Sequence, residues 1–141
     1  LLDGSNVFRY SASAYQDCNV RLIDISIFKK IILQNSGFAN EVINILCENL
    51  IQTQTRFFSY TQKQSYGKMA DTLICLSCNI FKAEGFELNL TRKELAELTG
   101  LTPESVIRIL SKFKNDKLIH VEGKMITILD MAKLKQISDY G

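Results

Sequence analysis

Glu104 and Arg108 stand one helical turn apart near the start of a short amphipathic segment, and that pairing can read DNA. An arginine donates two parallel hydrogen bonds to guanine O6 and N7, and a glutamate accepts one from cytosine N4. Together they suit neighbouring base pairs that include a G·C pair. Ile107 beside them is apolar and points to the groove or its edge, where a thymine methyl is its natural contact. On an ordinary solvated helix the same Glu–Arg pair is only an i,i+4 ion pair worth about 0.2–0.5 kcal/mol. Its place at the start of a second helix, just after a capped glycine turn, favours base reading.

The elements that must position these side chains are marked locally. Thr91 and Glu94 form a capping-box pattern, in which the hydroxyl accepts an N–H and the carboxylate reaches back to the N-cap N–H. Leu95, Ala96 and Leu98 give the first helix an apolar side, and Gly100 is placed to end it in the left-handed region. Leu101 tucks under the turn, and Thr102-Pro103 restarts the chain as N-cap and N1. Val106, Ile109, Leu110 and Phe113 recur at helical spacing and face inward, leaving Glu104, Arg108, Ser111 and Lys112 on the other side. Leu118, Ile119 and Val121, then Glu122-Gly123-Lys124, then Met125 to Ile128, predict a β-hairpin. Two helices and a hairpin make a winged helix-turn-helix, whose second helix fits a major groove about 12 Å wide. Lys124 at the hairpin tip is placed to meet a phosphate; His120 reads as structural or merely exposed.

The strings LTRKELA (90–96), TGLTPESV (99–106), RIL (108–110), LI (118–119) and GKMITI (123–128) resemble the DNA-binding domain of the Crp/Fnr family of bacterial transcription regulators. The resemblance implies that Glu104 and Arg108 contact bases and that the hydroxyls of Thr102 and Ser105 contact phosphate. Thr91, Ser111, Lys112 and Lys124 complete the expected phosphate contacts, and Ile107 joins the base contacts. Pro103 and Ile107 depart from the pattern: some members carry a base-reading arginine at the first position, and the second is apolar.

Upstream, Ile43, Leu46, Leu50, Thr53, Phe57 and Tyr60 are spaced 3-4-3-4-3 in a stretch without Pro or Gly that runs from Phe38 to about Gln64. That is a heptad seam for a two-stranded coiled coil. About 25 residues at 1.5 Å rise span roughly 38 Å, a length that favours a dimer spine over a helix packed on its own domain. Val42 and Ile45 widen the stripe, and Thr53 weakens its middle. A further helix is predicted over 65–81, with Met69, Leu73, Leu76 and Ile80 on one stripe; in the family the junction near Gln64-Ser65 is a hinge. Phe86 to Leu90 alternates as a short strand. Nearer the start, Phe8–Tyr15 and Val20–Ile25 predict two strands around a Gln16-Asp17 turn, followed by a short helix through Ile27, Phe28, Ile31 and Ile32. These resemble the last strands of a cyclic-nucleotide-binding β-roll. Tyr10-Ser11 stand where nucleotide-binding members carry an arginine and a small residue, with Arg9 adjacent. The expected fold is therefore α+β: a sensor-roll remnant over 1–35 that does not bind an effector alone, a dimerisation helix over 36–64, and a winged helix-turn-helix over 65–141.

Composition bounds the rest. The 46% hydrophobic share is ordinary for a globular chain of one moderate or two small domains. A formal net charge of +2 gives no global pull toward nucleic acid, so attraction must come locally, from Arg92, Lys93, Lys112, Lys114 and Lys124. No run reaches the roughly 18 apolar residues of a membrane span, and no basic-then-apolar leader opens the chain. It begins without Met and is read as a fragment or processed product.

Cys75 and Cys78 lie in the apolar string LICLSCNIF, where free cysteine acts as a small hydrophobe. A zinc site usually needs a second ligand pair, so neither metal nor other cofactor is expected, and a reduced cytoplasmic setting fits. A single histidine, with no Ser/His/Asp spacing and no Gly-rich phosphate loop, argues against an enzyme. The expectation is a homodimer on a palindromic double-stranded DNA site, with RNA polymerase as a further partner. The competing readings are a redox or metal-responsive switch on Cys75 and Cys78, and a winged-helix module that binds protein.

Overall fold

The computed structural model describes residues 11–12, 14 and 17–141. The chain divides after Thr53 into two compact units.

In the first unit, α1 (Ile25–Gln34) begins at Asp24, whose carboxylate accepts the Ser26 N–H at 2.8 Å. Asn35 then turns the chain into α2 by accepting the Phe38 N–H at 2.9 Å, and the Phe28 and Phe38 rings meet edge-on at 5.6 Å. The short helix expected around Ile27 to Ile32 is thus present. The strand expected over Val20–Ile25 is not: residues 20–24 carry no regular structure and Ile25 already opens α1. A strand needs a paired neighbour for its backbone groups, and none reaches this stretch among the described residues. Most of the Phe8–Tyr15 strand, with Arg9 and Tyr10, lies outside the described residues.

Helix α2 runs unbroken over Ser36–Gln62, 27 residues, or about 40 Å. Its apolar stripe is largely uncovered: Ile43, Leu46, Leu50 and Phe57 expose 54, 53, 58 and 69% of their surface. Thr53 satisfies its hydroxyl by donating to the Asn49 carbonyl one turn back at 2.8 Å.

In the second unit, α3 (Ser65–Cys75) passes directly into a π-helical turn, Leu76–Phe81. The uninterrupted helix expected over 65–81 is therefore corrected. The wider turn rotates each residue less than an α-helix does, so the stripe holds through Met69, Leu73 and Leu76 and then fails: Ile80 is 63% exposed. Ser77 ties the turn off by donating to the Ala83 carbonyl at 2.7 Å. Cys75 is half-buried and Cys78 exposed; Cys78 follows Ile80 onto the outer side and is not the core residue its apolar neighbours suggested.

β1 (Gly85–Glu87), β2 (Ile119–Glu122) and β3 (Met125–Ile128) form an antiparallel sheet in the order β1-β3-β2. Phe86 and Val121 both face Ile126 in the register. The alternation read from Phe86 onward continues past the strand, with Leu88 buried and its N–H donating to the Lys124 carbonyl at 2.9 Å. Gly123 opens the β2–β3 turn at φ +59°, a conformation cheap only for glycine.

A last helix, α6 (Met131–Tyr140), is capped by Asp130 and packs on α3. It was not anticipated. Its signal was present in Asp130 as N-cap and in Met131, Leu134 and Ile137 at intervals of three. The core gathers Leu73 of α3, Leu95 of α4 (Arg92–Thr99), Ile109 and Phe113 of α5 (Pro103–Asn115), Ile126 of β3 and Leu134, each 2% exposed or less. Each such side chain contributes roughly 1.5–3 kcal/mol by leaving water.

Candidate nucleic-acid interface

Helices α4 and α5 are built by the caps that the residue types predict. Thr91 accepts the Glu94 N–H at 3.2 Å, and Glu94 accepts the Thr91 N–H at 2.7 Å. The Thr91 N–H and hydroxyl hold the Glu94 carboxyl below its ordinary range. Gly100 ends α4 at φ +66°, with the Leu101 N–H returning to the Ala96 carbonyl at 3.0 Å; this is the Schellman closure. Thr102 then caps α5 by accepting the Ser105 N–H at 3.3 Å, and its Oγ1 lies 3.2 Å from Ser105 Oγ.

Helix α5 is divided cleanly. Val106, Ile109, Leu110 and Phe113 are buried, while Glu104, Ile107, Arg108, Ser111 and Lys112 are exposed. Ser105 is half-buried. Glu104, Ile107, Arg108 and Ser111 fall on one strip by their i, i+3, i+4, i+7 spacing. Ile107, an isoleucine 52% in water, lies in the middle of that strip.

Glu104 and Arg108 make no ion pair with each other among the described residues; each has another neighbour. The Glu104 carboxyl is held below its ordinary range by hydrogen bonds from its own backbone N–H and from the Thr102 hydroxyl. It is therefore a pure acceptor at neutral pH, the state that cytosine N4 requires. Arg108 lies over the ring of Tyr66, with Cζ 6.0 Å from the centroid.

The expected phosphate ligands fall in two places. Thr102, Ser105, Ser111 and Lys112 ride on α5 or its cap, and Lys112 pairs with Asp116 at 3.0 Å on the exposed surface. Thr91 and Lys124 meet at a groove of about 240 Å³ between the start of α4 and the hairpin, which Arg92 also lines. There Lys124 Nζ donates to Asn89 Oδ1 at 3.0 Å, a partner that sequence reasoning missed. Lys114 instead turns back to donate to the Val121 carbonyl at 3.1 Å, joining α5 to the hairpin. His120 is exposed, 3.9 Å from the Glu122 carboxylate.

Tyr60, the last residue of the heptad series, holds the helix-turn-helix from outside. Its hydroxyl donates to the Leu98 carbonyl at 2.5 Å, and its ring edge lies 3.2 Å from where a Cβ on Gly100 would stand. Nearby, Lys63 donates to Asp71 at 2.8 Å and to Ser138 at 3.0 Å, and Ser138 donates to the same carboxylate. This network joins the residue after α2 to α3 and α6. Counting heptads assigns Tyr60 to the dimer seam and misses its use within the unit, because periodicity carries no information about a partner 38 residues away.

No three His, Cys, Asp or Glu side chains come together as a metal-binding group among the described residues. No described helix is long and apolar enough to cross a membrane.

Residues 67–137, half of the chain, match the Crp-like helix-turn-helix domain. Over 128 residues the chain is 27% identical to the transcriptional activator protein Anr of Pseudomonas protegens, covering 88% of this chain and 52% of that protein. Over 98 residues it is 32% identical to the anaerobic regulatory protein of Aggregatibacter actinomycetemcomitans, covering 70% and 34%. The chain thus spans about half, or less, of the length of these relatives. Among solved structures, FixK2 from Bradyrhizobium japonicum superposes with a TM-score of 0.75 at 18% identity, over 79% of this chain and 57% of that one. A CooA mutant from Carboxydothermus hydrogenoformans gives 0.68 at 23% identity, over 82% and 55%. With the helix-turn-helix, its hairpin and the long preceding helix all present, the chain belongs to the Crp/Fnr family.

Proposed function

We propose that this chain is the DNA-reading and dimer-forming part of a sequence-specific, non-enzymatic transcription regulator that works in the cytoplasm as a homodimer on a palindromic site. The observation that carries this reading is the two-sided α5: an apolar face packed in the core, and an outward strip of Glu104, Ile107, Arg108 and Ser111. Glu104 and Arg108 take the base edges, with Ile107 against a thymine methyl. Thr102, Ser105, Ser111 and Lys112 take phosphates along α5, and Thr91 and Lys124 take them beside the hairpin. RNA polymerase is the further partner that a regulator of this family would engage.

The dimer reading is supported by α2. Ile43, Leu46, Leu50 and Phe57 keep more than half of their surface in water, and a second α2 at the heptad seam removes it. A two-fold pair of reading heads requires half-sites one helical turn apart, about 34–36 Å.

The test is selection of bound duplexes from a random pool, followed by Arg108→Ala. Selection should return a palindrome with that spacing. The variant should lose about 1–3 kcal/mol on the selected duplex and relax preference at one base pair per half-site. Unchanged affinity and preference would remove Arg108 from the base contacts. A failure to select any sequence, with the dimer intact, would favour a winged helix that binds protein.

A further inference from the structure

An exposed arginine samples many rotamers, and holding it in one costs side-chain entropy. Arg108 is exposed, yet it is not free. Its guanidinium lies over the Tyr66 ring at 6.0 Å from the centroid, at the reach of a cation–π contact. Tyr66 is itself fixed. Its ring meets that of Phe113 at 6.0 Å and 52°, and Phe113 is 1% exposed in the core. Tyr66 is the second residue of α3, and the next residue, Gly67, sits so close to α6 that a Cβ there would stand 2.7 Å from the Gly141 carbonyl oxygen. The first turn of α3 is thus packed against the end of α6. A rigid aromatic face is thus presented to a flexible cation.

We propose that Tyr66 is a positioning residue for Arg108, its ring holding the guanidinium over the outward strip of α5 before DNA arrives. The inference rests on the base-reading role of Arg108 given above. The ring face attracts the cation through its quadrupole and takes up none of the guanidinium's five N–H donors as a hydrogen-bonding partner would, so they remain available to a base. The phenol hydroxyl has no part in this, so the ring alone should suffice.

The experiment compares the affinity of the full chain for its selected duplex and for a duplex changed at the base pair where Arg108→Ala abolishes preference. Tyr66→Phe should keep the wild-type ratio. Tyr66→Leu should lower it roughly two- to fivefold, the range expected of one exposed cation–π contact, and should leave ratios at other base pairs alone. Adding Tyr66→Leu to Arg108→Ala should change nothing further at that pair. A Tyr66→Leu ratio equal to wild type, while Arg108→Ala still relaxes preference, overturns the positioning role and leaves the base contact standing. If Arg108→Ala changes no ratio, the base contact itself fails, and the positioning role with it.

A DNA-free measurement guards against loss of folding in Tyr66→Leu. The Arg108 side-chain protons in wild type and Tyr66→Phe should show the upfield shift of a group over a ring face. Random-coil shifts in both would overturn the proposal.

Discussion

Replacing Gly100 by alanine tests the joint between the two helices of the reading head. At φ +66° an L-residue pays roughly 1–2 kcal/mol for the left-handed conformation. Alanine recovers about 0.4–1 kcal/mol by stiffening the unfolded chain. The new methyl would stand 3.2 Å from one Tyr60 ring carbon, closer than carbon atoms pack comfortably, and 3.5 Å from the next, an ordinary contact. The ring must yield by a few tenths of an ångström, which loosens the Tyr60–Leu98 hydrogen bond, a contact worth about 0.5–1.5 kcal/mol. The sum is a loss of about 0.5–3 kcal/mol. Urea unfolding followed by circular dichroism reads it, and Tyr60→Leu separates the causes. In that background Gly100→Ala should cost less, since the ring it strikes has gone. A Gly100→Ala chain as stable as wild type would refute the argument from the left-handed turn. An equal cost in both backgrounds would refute the part assigned to Tyr60.

Lys124→Ala should weaken binding to all duplexes alike and reduce the salt slope of log K by up to about one unit, as a phosphate contact does; a change in base preference on titration against selected and altered duplexes would contradict this role. Lys117, which follows α5 at φ +56°, should gain stability when replaced by glycine, by about 1 kcal/mol on thermal melting. Burial pushes the Asp71 carboxyl up, but hydrogen bonds from Lys63, Ser138 and Ser59 and the Lys63 charge together hold it below its ordinary range. Its folded pKa is depressed, so its stabilisation is present above the ordinary carboxylate pKa and disappears as pH falls through the lower folded value. Asp71→Asn should flatten the acid limb of a stability-against-pH curve and lower stability at neutral pH.

The reading head was legible because its signals are local. Thr91 with Glu94, Gly100, and Thr102 with Pro103 each fix a backbone conformation through groups a few residues away, and the inward face of α5 follows from spacing alone. What was not legible depends on contacts distant in sequence or on a change of helical pitch. Tyr66 meets Arg108 and Tyr60 meets Leu98 only once the chain has folded back. Counting on an α-helical period places Ile80 inward, and apolar neighbours suggest the same for Cys78, but the turn at Leu76–Phe81 does not keep that period. The strand read into Val20–Ile25 shows the same limit from another side, because β-prone residues form a strand only where a neighbour pairs with them.

The Tyr60 contact also sets a mechanical tolerance. A roll of α2 by about 10° carries an atom at the helix's outer radius, about 6 Å, through roughly 1 Å. That is enough to stretch the 2.5 Å bond to Leu98 to the outer limit of a hydrogen bond. The Tyr60–Leu98 bond thus ties the last turn of α2 to the end of α4 and tolerates a roll of that turn of no more than about 10° before it breaks.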